Sequence, residues 1–419
     1  MKYKLKYGKG EVEFEIDEKN YMGQLLPKEI EYDLKGEEEV ERAINNPIGT
    51  ARLKDIVKEG EKIAIVTSDI TRPMPSKIAL PPLIRELKKA NIKEENITIV
   101  LALGSHREHT EEEKISLLGE KIYESNIQIL DSNMNECINL GKCKNKTPVD
   151  IFRPVAEADR IICMGNIEYH YFAGYSGGAK ALMPGVSSHE AIQVNHSNMV
   201  KGGAFAGNIE TNPVRQDIDQ VGEFIKIDFI INVVLNSKKE IVKAVAGHYI
   251  KAHREGCKYL DEMYGIQIED RADIVIVSPG GFPKDINIYQ SQKGLDNAKH
   301  AVRDGGIIIL VASAKERFGE KTFEEWMLTK TPQEMIEEIK KNFRLGGHKA
   351  AAIAMILQKA KIYMVSDLED ELVTRINFKP FRSVQAALDS AINELGEDSK
   401  IMIMPTAGST LPRYVKKTV

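Results

Sequence analysis

The sequence predicts an α/β protein of two domains, each a largely parallel sheet covered by helices, with the active site in the cleft between them. Three observations carry this. Unbroken apolar runs recur at 62–67, 96–103, 160–164, 274–278, 307–311, 361–365 and 400–404, as expected of strands buried on both faces. Helix-like segments separate most of these runs, the order that produces parallel sheets. At 419 residues the chain also exceeds what one hydrophobic core ordinarily organises.

The elements follow in order. Residues 1–30 alternate polar and apolar positions, as in a short meander of strands. Strand 62–67 runs into Ser68-Asp69-Ile70-Thr71-Arg72-Pro73, and a helix is expected to start at Pro81-Pro82, with Leu83, Ile84 and Leu87 on one face. Strand 96–103 ends in Gly104-Ser105-His106, and another helix begins near Glu111. Strand 160–164 leads into a glycine- and tyrosine-rich stretch from Gly165 to His196. Ser187 and Glu190 have the spacing of a capping box, which opens a helix carrying His189 and His196. Asn212-Pro213 caps a helix running to Phe224, a hairpin surrounds Asn236, and a charged helix spans 249–263.

Residues 264–271 read as the domain boundary. They separate a cofactor-binding catalytic domain, 1–268, from a second α/β domain, 269–401, with the tail 402–419 a candidate to return to the first. Within the second domain a helix is expected over 290–302 and a helix-rich stretch over 323–360.

Composition narrows the function classes. A net charge of −4 leaves no electrostatic footprint for nucleic acid or an anionic membrane. No apolar run reaches the roughly 20 residues that span a bilayer, and the first residues lack an apolar signal segment. A cytoplasmic protein is the expectation. Cys137, Cys143, Cys163 and Cys257 form no CxxC pair, which points to reduced, mostly buried thiols and not to a disulfide framework or zinc ribbon.

Three strands end in loops bearing Asp69 and Arg72, His106, and His170. Ligands in open α/β sheets bind outside the carboxyl ends of strands, so these loops are expected to converge. Two histidines in one site can exchange protons with opposite faces of a substrate, which suits inversion of a stereocentre. Arg72 offers a fork for a carboxylate. The loop Gly174-Tyr175-Ser176-Gly177-Gly178-Ala179-Lys180-Ala181 superficially resembles a phosphate-binding P-loop. The match fails at Ala179 and Ala181, which argues against a nucleoside triphosphatase. Lys180 is either a solvated loop lysine or an amine with a lowered pKa that serves as a covalent attachment point. His189 and His196 lie about 10 Å apart along a helix, too far to share one metal ion. His196 would then be a single protein ligand to a metal held mainly by something else, or simply a structural histidine. Gln290 and Lys293 occupy neighbouring helical turns and could close over one anion. The loop around His348 is a candidate limit on substrate size.

Taken together, Ser68-Asp69-Ile70-Thr71-Arg72-Pro73, Gly104-Ser105-His106, Tyr169-His170, Gly174 through Gly185, Asn195-His196 and Tyr289 through Lys293 closely resemble the motifs of the nickel-dependent lactate racemase family, in the right order over most of the chain. The resemblance implies a nickel-pincer nucleotide, a pyridinium-3,5-bisthiocarboxylic acid mononucleotide, attached covalently through Lys180 with His196 as nickel ligand. It implies His106 and His170 as acid–base pair, acting with hydride transfer through a bound pyruvate. Arg72, Gln290 and Lys293 would hold the substrate carboxylate. Asp69, Thr71, Gly174, Ser176, Gly177 and Gly178 would contact the cofactor's ribose and phosphate. The implied partners are a small 2-hydroxyacid and the proteins that synthesise the cofactor. Three alternatives stay open: racemisation or epimerisation of another 2-hydroxyacid, a non-catalytic nickel-cofactor-binding protein, and a metallohydrolase using His106, His109 and His170.

Overall fold

The computed structural model describes residues 1–415. The chain divides into two compact units, Glu29–Glu262 and a second made of Met1–Lys28 with the chain from Met263 onward.

The first unit is built on six strands in the order Ile241–Gly247, Phe229–Leu235, Arg160–Asn166, Ile63–Ser68, Ile97–Ala102, Gln128–Asp131. All neighbours are parallel except Ile241–Gly247, which returns antiparallel as the expected hairpin. Ile63, Ala64, Ile65 and Val66 are buried on both faces, which is why the run contains no polar residue. From Ile63–Ser68 the chain moves outward one way to Gln128–Asp131 and then resumes on the opposite side at Arg160–Asn166. That reversal creates a crevice at the carboxyl ends of Ile63–Ser68 and Arg160–Asn166, where ligands of such sheets bind.

The second unit has its own six-stranded parallel sheet, ordered Lys379–Phe381, Lys361–Val365, Val302–Val311, Ala272–Val277, Ile401–Met404, Tyr21–Gln24. The N-terminal segment, assigned above to the catalytic domain, therefore belongs here. Tyr21 pairs with Ile401, while Leu5, Phe14 and Ile16 join Ile274, Ile307 and Ile401 in one core. The tail does not return to the first domain either: Leu411–Tyr414 pairs with Gly265–Ile268 within this second unit, and residues 416–419 lie outside the described residues. Local alternation reveals a strand but not which sheet edge it will join.

Three helix boundaries also differ from the sequence reading. The helix Ser76–Lys88 carries Pro81 and Pro82 inside it instead of at its start. Burial of Ala79, Leu80, Leu83 and Leu87 holds the turn together where two ladder hydrogen bonds are missing. The helix His189–Ser197 is capped by Ser188, whose Oγ accepts from Ala191 N–H at 3.1 Å, so no capping box forms. Ser187 instead donates to Leu182 O at 2.8 Å. The helix expected over 290–302 is Ile288–Ala298, started by Asn287, and the following strand begins as early as Val302. Asn212 caps Pro213–Phe224 as expected, accepting from the N–H groups of Val214 and Arg215.

All four cysteines are free; burial pushes the Cys143 and Cys257 thiols up to about 12. No helix among the described residues is long and apolar enough to cross a membrane.

Candidate active site

Asp69 follows the central strand and is buried at 2% exposure. Its Oδ2 lies 2.6 Å from His106 Nδ1, and its two oxygens accept from Thr71 Oγ1 at 3.0 Å. An ionised carboxylate only accepts, so the His106 proton sits on Nδ1 and Nε2 is left basic. Asp69 thus has a role that the sequence did not reveal, as the orienter of His106.

His170 lies in a two-residue strand paired with Gly174-Tyr175. Here the ring nitrogen facing the protein is an acceptor, since Ala173 N–H donates to His170 Nδ1 at 3.2 Å. The neutral ring therefore carries its proton on Nε2. The contacts at Nδ1 thus favour opposite neutral tautomers for the two histidines.

Phe172 links His170 to the third histidine. Its ring meets His170 edge-on at 4.5 Å and His196 at 4.9 Å. His196 Nδ1 donates to Asn195 Oδ1 at 3.1 Å, and the buried Asn195 amide is oriented by its own bond to Val214 O at 3.2 Å. That bond orients the ring with its proton on Nδ1. Among the described residues no group of three His, Cys, Asp or Glu side chains could hold a metal ion by itself. A metal at His196 needs its other ligands from a bound group.

Lys180 follows the glycine loop in the short turn Gly178–Ala181. Burial draws its ammonium down to about 7, repulsion from Arg72 and Arg215 adds to the fall, and Glu168 opposes it. The lowered value favours the uncharged amine, the state that attacks an acyl carbon.

The glycine loop is braced from beneath by residues that sequence reasoning missed. Gly178 N–H donates to Asn232 Oδ1 at 2.8 Å. The buried Arg215 guanidinium donates to Tyr175 O and Gly177 O at 3.3 and 3.2 Å. His253 Nε2 donates to Ser176 O at 2.8 Å and stays neutral, because burial and the neighbouring Arg215 and Arg254 hold its pKa well below the ordinary value. Asn232, a lone polar residue in an apolar strand, was the one signal available in the sequence. The Ser176 hydroxyl, expected at the cofactor, is engaged in the turn: it donates to Asn166 O at 2.7 Å and accepts Glu168 N–H at 2.8 Å. Gly104 N–H, two residues before His106, bonds Gly185 O at 2.9 Å and ties the first histidine loop to the end of the glycine stretch.

Gly174 must be glycine. Its φ is +78°, and a Cβ would lie 2.1 Å from Asn208 O. Left-handed strain alone costs about 1–2 kcal/mol, so Gly174→Ala should lower the melting temperature by several degrees; an unchanged thermal transition would show that the loop relaxes around the methyl.

Asp69, Thr71, Arg72, His106, His170, Gly174, Ser176, Gly177, Gly178, Lys180 and His196 all lie in the first unit; the contacts join Asp69 and Thr71 to His106, Arg72 to Lys180, and His170 to His196 through Phe172. Gln290 and Lys293 are exposed on the first turns of Ile288–Ala298 in the second. His348 is buried at 8% exposure, its Nδ1 accepting Gly346 N–H at 3.0 Å.

The fold is that of an α/β protein with titratable side chains gathered at the switch point of a parallel sheet. Residues 7–207 match the lactate racemase N-terminal domain and 268–411 the lactate racemase C-terminal domain. A lactate racemase of Thermoanaerobacterium thermosaccharolyticum is 37% identical over 97% of this chain and 98% of its own length. One from Lactiplantibacillus plantarum is 34% identical, over 96% and 97% respectively. The solved structure of the Thermoanaerobacterium lactate racemase apoprotein covers 99% of this chain and 100% of its own, with TM-score 0.88 and 35% identity. A Thermotoga maritima protein at 18% identity and TM-score 0.65 shares the fold, covering 92% of this chain and 100% of its own. The chain belongs to the lactate racemase family, a family of isomerases.

Proposed function

We propose that this protein interconverts D- and L-lactate with a nickel-pincer nucleotide bound through Lys180. The observation that carries the reading is the Asp69 carboxylate at His106 Nδ1, which leaves Nε2 to take a proton. A racemase must take a proton from one face and give one to the other, then exchange those roles in the reverse direction.

His106 Nε2, basic because Asp69 occupies Nδ1, accepts the hydroxyl proton of one enantiomer. Asp69 stabilises the imidazolium that results. His170 as an imidazolium, its Nδ1 proton displacing the Ala173 N–H contact, would supply the proton to the oxygen once the other face is presented. For the opposite enantiomer the neutral His170 left behind would take the proton and the His106 imidazolium would return it. Arg72, Gln290 and Lys293 are assigned to the substrate carboxylate.

The donor set fits the cofactor. The lowered Lys180 amine would suit a thioamide link, and the His196 imidazole is a borderline donor that would suit nickel. Gly174, Gly177 and Gly178 are packed on Asn208, Asn232 and Arg215 with no room for a side chain; their backbone, with Asp69, Thr71 and Ser176, is assigned to the nucleotide. When bound, the group would supply an acceptor for the C2 hydrogen as hydride. The proteins that make the cofactor are the implied partners, and the proposed setting is the cytoplasm.

The test is racemisation of L-lactate in D2O by protein made together with the cofactor-synthesising enzymes, beside malate and an aromatic hydroxyacid. Racemised lactate that keeps its C2 hydrogen is expected. Deuterium at C2 would overturn the hydride route, and faster turnover of another acid would reassign the substrate.

A further inference from the structure

His109 takes no part in the chemistry above, yet its side chain is 1% exposed and both ring nitrogens are engaged. Nδ1 lies 2.6 Å from Asp131 Oδ1, and Nε2 accepts Ile70 N–H at 3.0 Å. Lys114 Nζ completes the ionic partners of Asp131 at 3.0 Å. Ile70 follows the end of strand Ile63–Ser68, His109 follows Ile97–Ala102, and Asp131 ends Gln128–Asp131. These are three consecutive neighbours in the sheet. One imidazole therefore crosses the carboxyl ends of all three.

Its position relative to the catalytic pair gives this brace a purpose. Ile70 is bonded in sequence to Asp69, and His109 lies three residues after His106. Asp69 and His106 come from different strands and must meet at 2.6 Å for His106 to expose a basic Nε2. Thr71 Oγ1 and the Arg72 N–H to Asp69 O turn, 3.1 Å, shape the Asp69 loop internally. Beyond the Asp69 and Thr71 contacts to the His106 ring itself, at 2.6 and 3.4 Å, the two loops are joined by the His109 Nε2 bond.

We propose that His109 is a positioning residue that holds the Asp69 loop in register with His106, anchored on Asp131. This rests on the racemase reading of His106. Two replacements separate its two bonds. In His109→Gln the side-chain oxygen takes the place of Nε2 and can accept Ile70 N–H, but the Asp131 partner is lost. In His109→Asn the amide takes the place of Nδ1 and can donate to Asp131, but the Ile70 tie is lost.

The experiment compares both variants with wild type and His106→Gln for holoenzyme kcat, thermal midpoint, and the His106 Nδ1–H resonance in 15N-histidine-labelled apoprotein. Displacements of about 1 Å cost on the order of 100-fold in rate. Accordingly, His109→Asn should lose about 10- to 100-fold in kcat and the His106 resonance, with the smaller thermal loss. His109→Gln should keep kcat within about threefold and retain the resonance, despite the larger thermal loss. Activity that follows thermal stability, or an Asn variant as active as wild type with the resonance intact, overturns the proposal. An active His106→Gln enzyme would instead overturn the catalytic role of His106 on which the proposal rests.

Discussion

Glutamine in place of His106 or His170 is expected to abolish racemisation from both enantiomers while leaving the fold and bound nickel in place. A positioned acid–base group contributes about 100- to 10,000-fold to rate. Each histidine serves as base in one direction and acid in the other, so neither variant should retain a favoured direction at steady state. Glutamine also preserves much of the ring's volume and polarity, so the Asp69 and Ala173 contacts lose a titrating partner without opening a large cavity. Chiral chromatography starting from each lactate enantiomer, with nickel and thermal midpoint measured on the same samples, provides the test. Retention of a tenth of wild-type turnover by either variant would remove that histidine from the proton path. Intact nickel with no turnover is also the outcome that separates an enzyme from a cofactor-storage protein.

Lys180→Ala should bring both activity and bound nickel to background, and Lys180→Arg should do the same, because a guanidinium does not surrender its proton in proteins. The physical basis is the amine held at about 7. At pH 7 half of it is neutral, whereas an ordinary lysine is neutral on the order of one part in a thousand. The sign follows directly: below pH 7 the amine is charged and unreactive, and above it reactivity reaches a plateau. Acylation of the apoprotein, followed on the Lys180 peptide from pH 6 to 10, should therefore level off by about pH 8. Surface lysines should continue to rise toward pH 10. A Lys180 profile that climbs with the surface lysines would mean that burial does not depress this amine. Mass analysis of the same peptide from holoprotein should reveal the adduct, and an unmodified peptide in nickel-loaded protein would exclude covalent attachment.

Much of the first unit was legible in the sequence because its information is local. Apolar runs such as Ile63–Val66 mark strands buried on both faces, and the polar residues that interrupt them mark the strand ends where sites form. Asp69, His106 and His170 were found in this way. What local pattern does not contain is partnership. Nothing near Asp69 shows that its carboxylate meets His106, 37 positions away. The same is true of Arg215 beneath Tyr175, of His253 beneath Ser176, and of Ile70 bonded to His109. Ser187 and Ser188 illustrate the same limit at short range: both have cap chemistry, and only the path of the chain after Pro184 selects the second.

By itself the sequence determined the α/β class and the three loop-bearing strands and named the candidate reactive side chains, because burial and loop chemistry are properties of consecutive residues. The tertiary structure alone decided three further things. It placed residues 1–28 and the strand Leu411–Tyr414 with the second unit, since strand edges are chosen by whichever surface remains unpaired. It assigned opposite tautomers to two histidines of the same type, since a tautomer is set by the one atom facing each Nδ1. It lowered the Lys180 amine, since desolvation depends on everything packed around a charge and not on its neighbours along the chain.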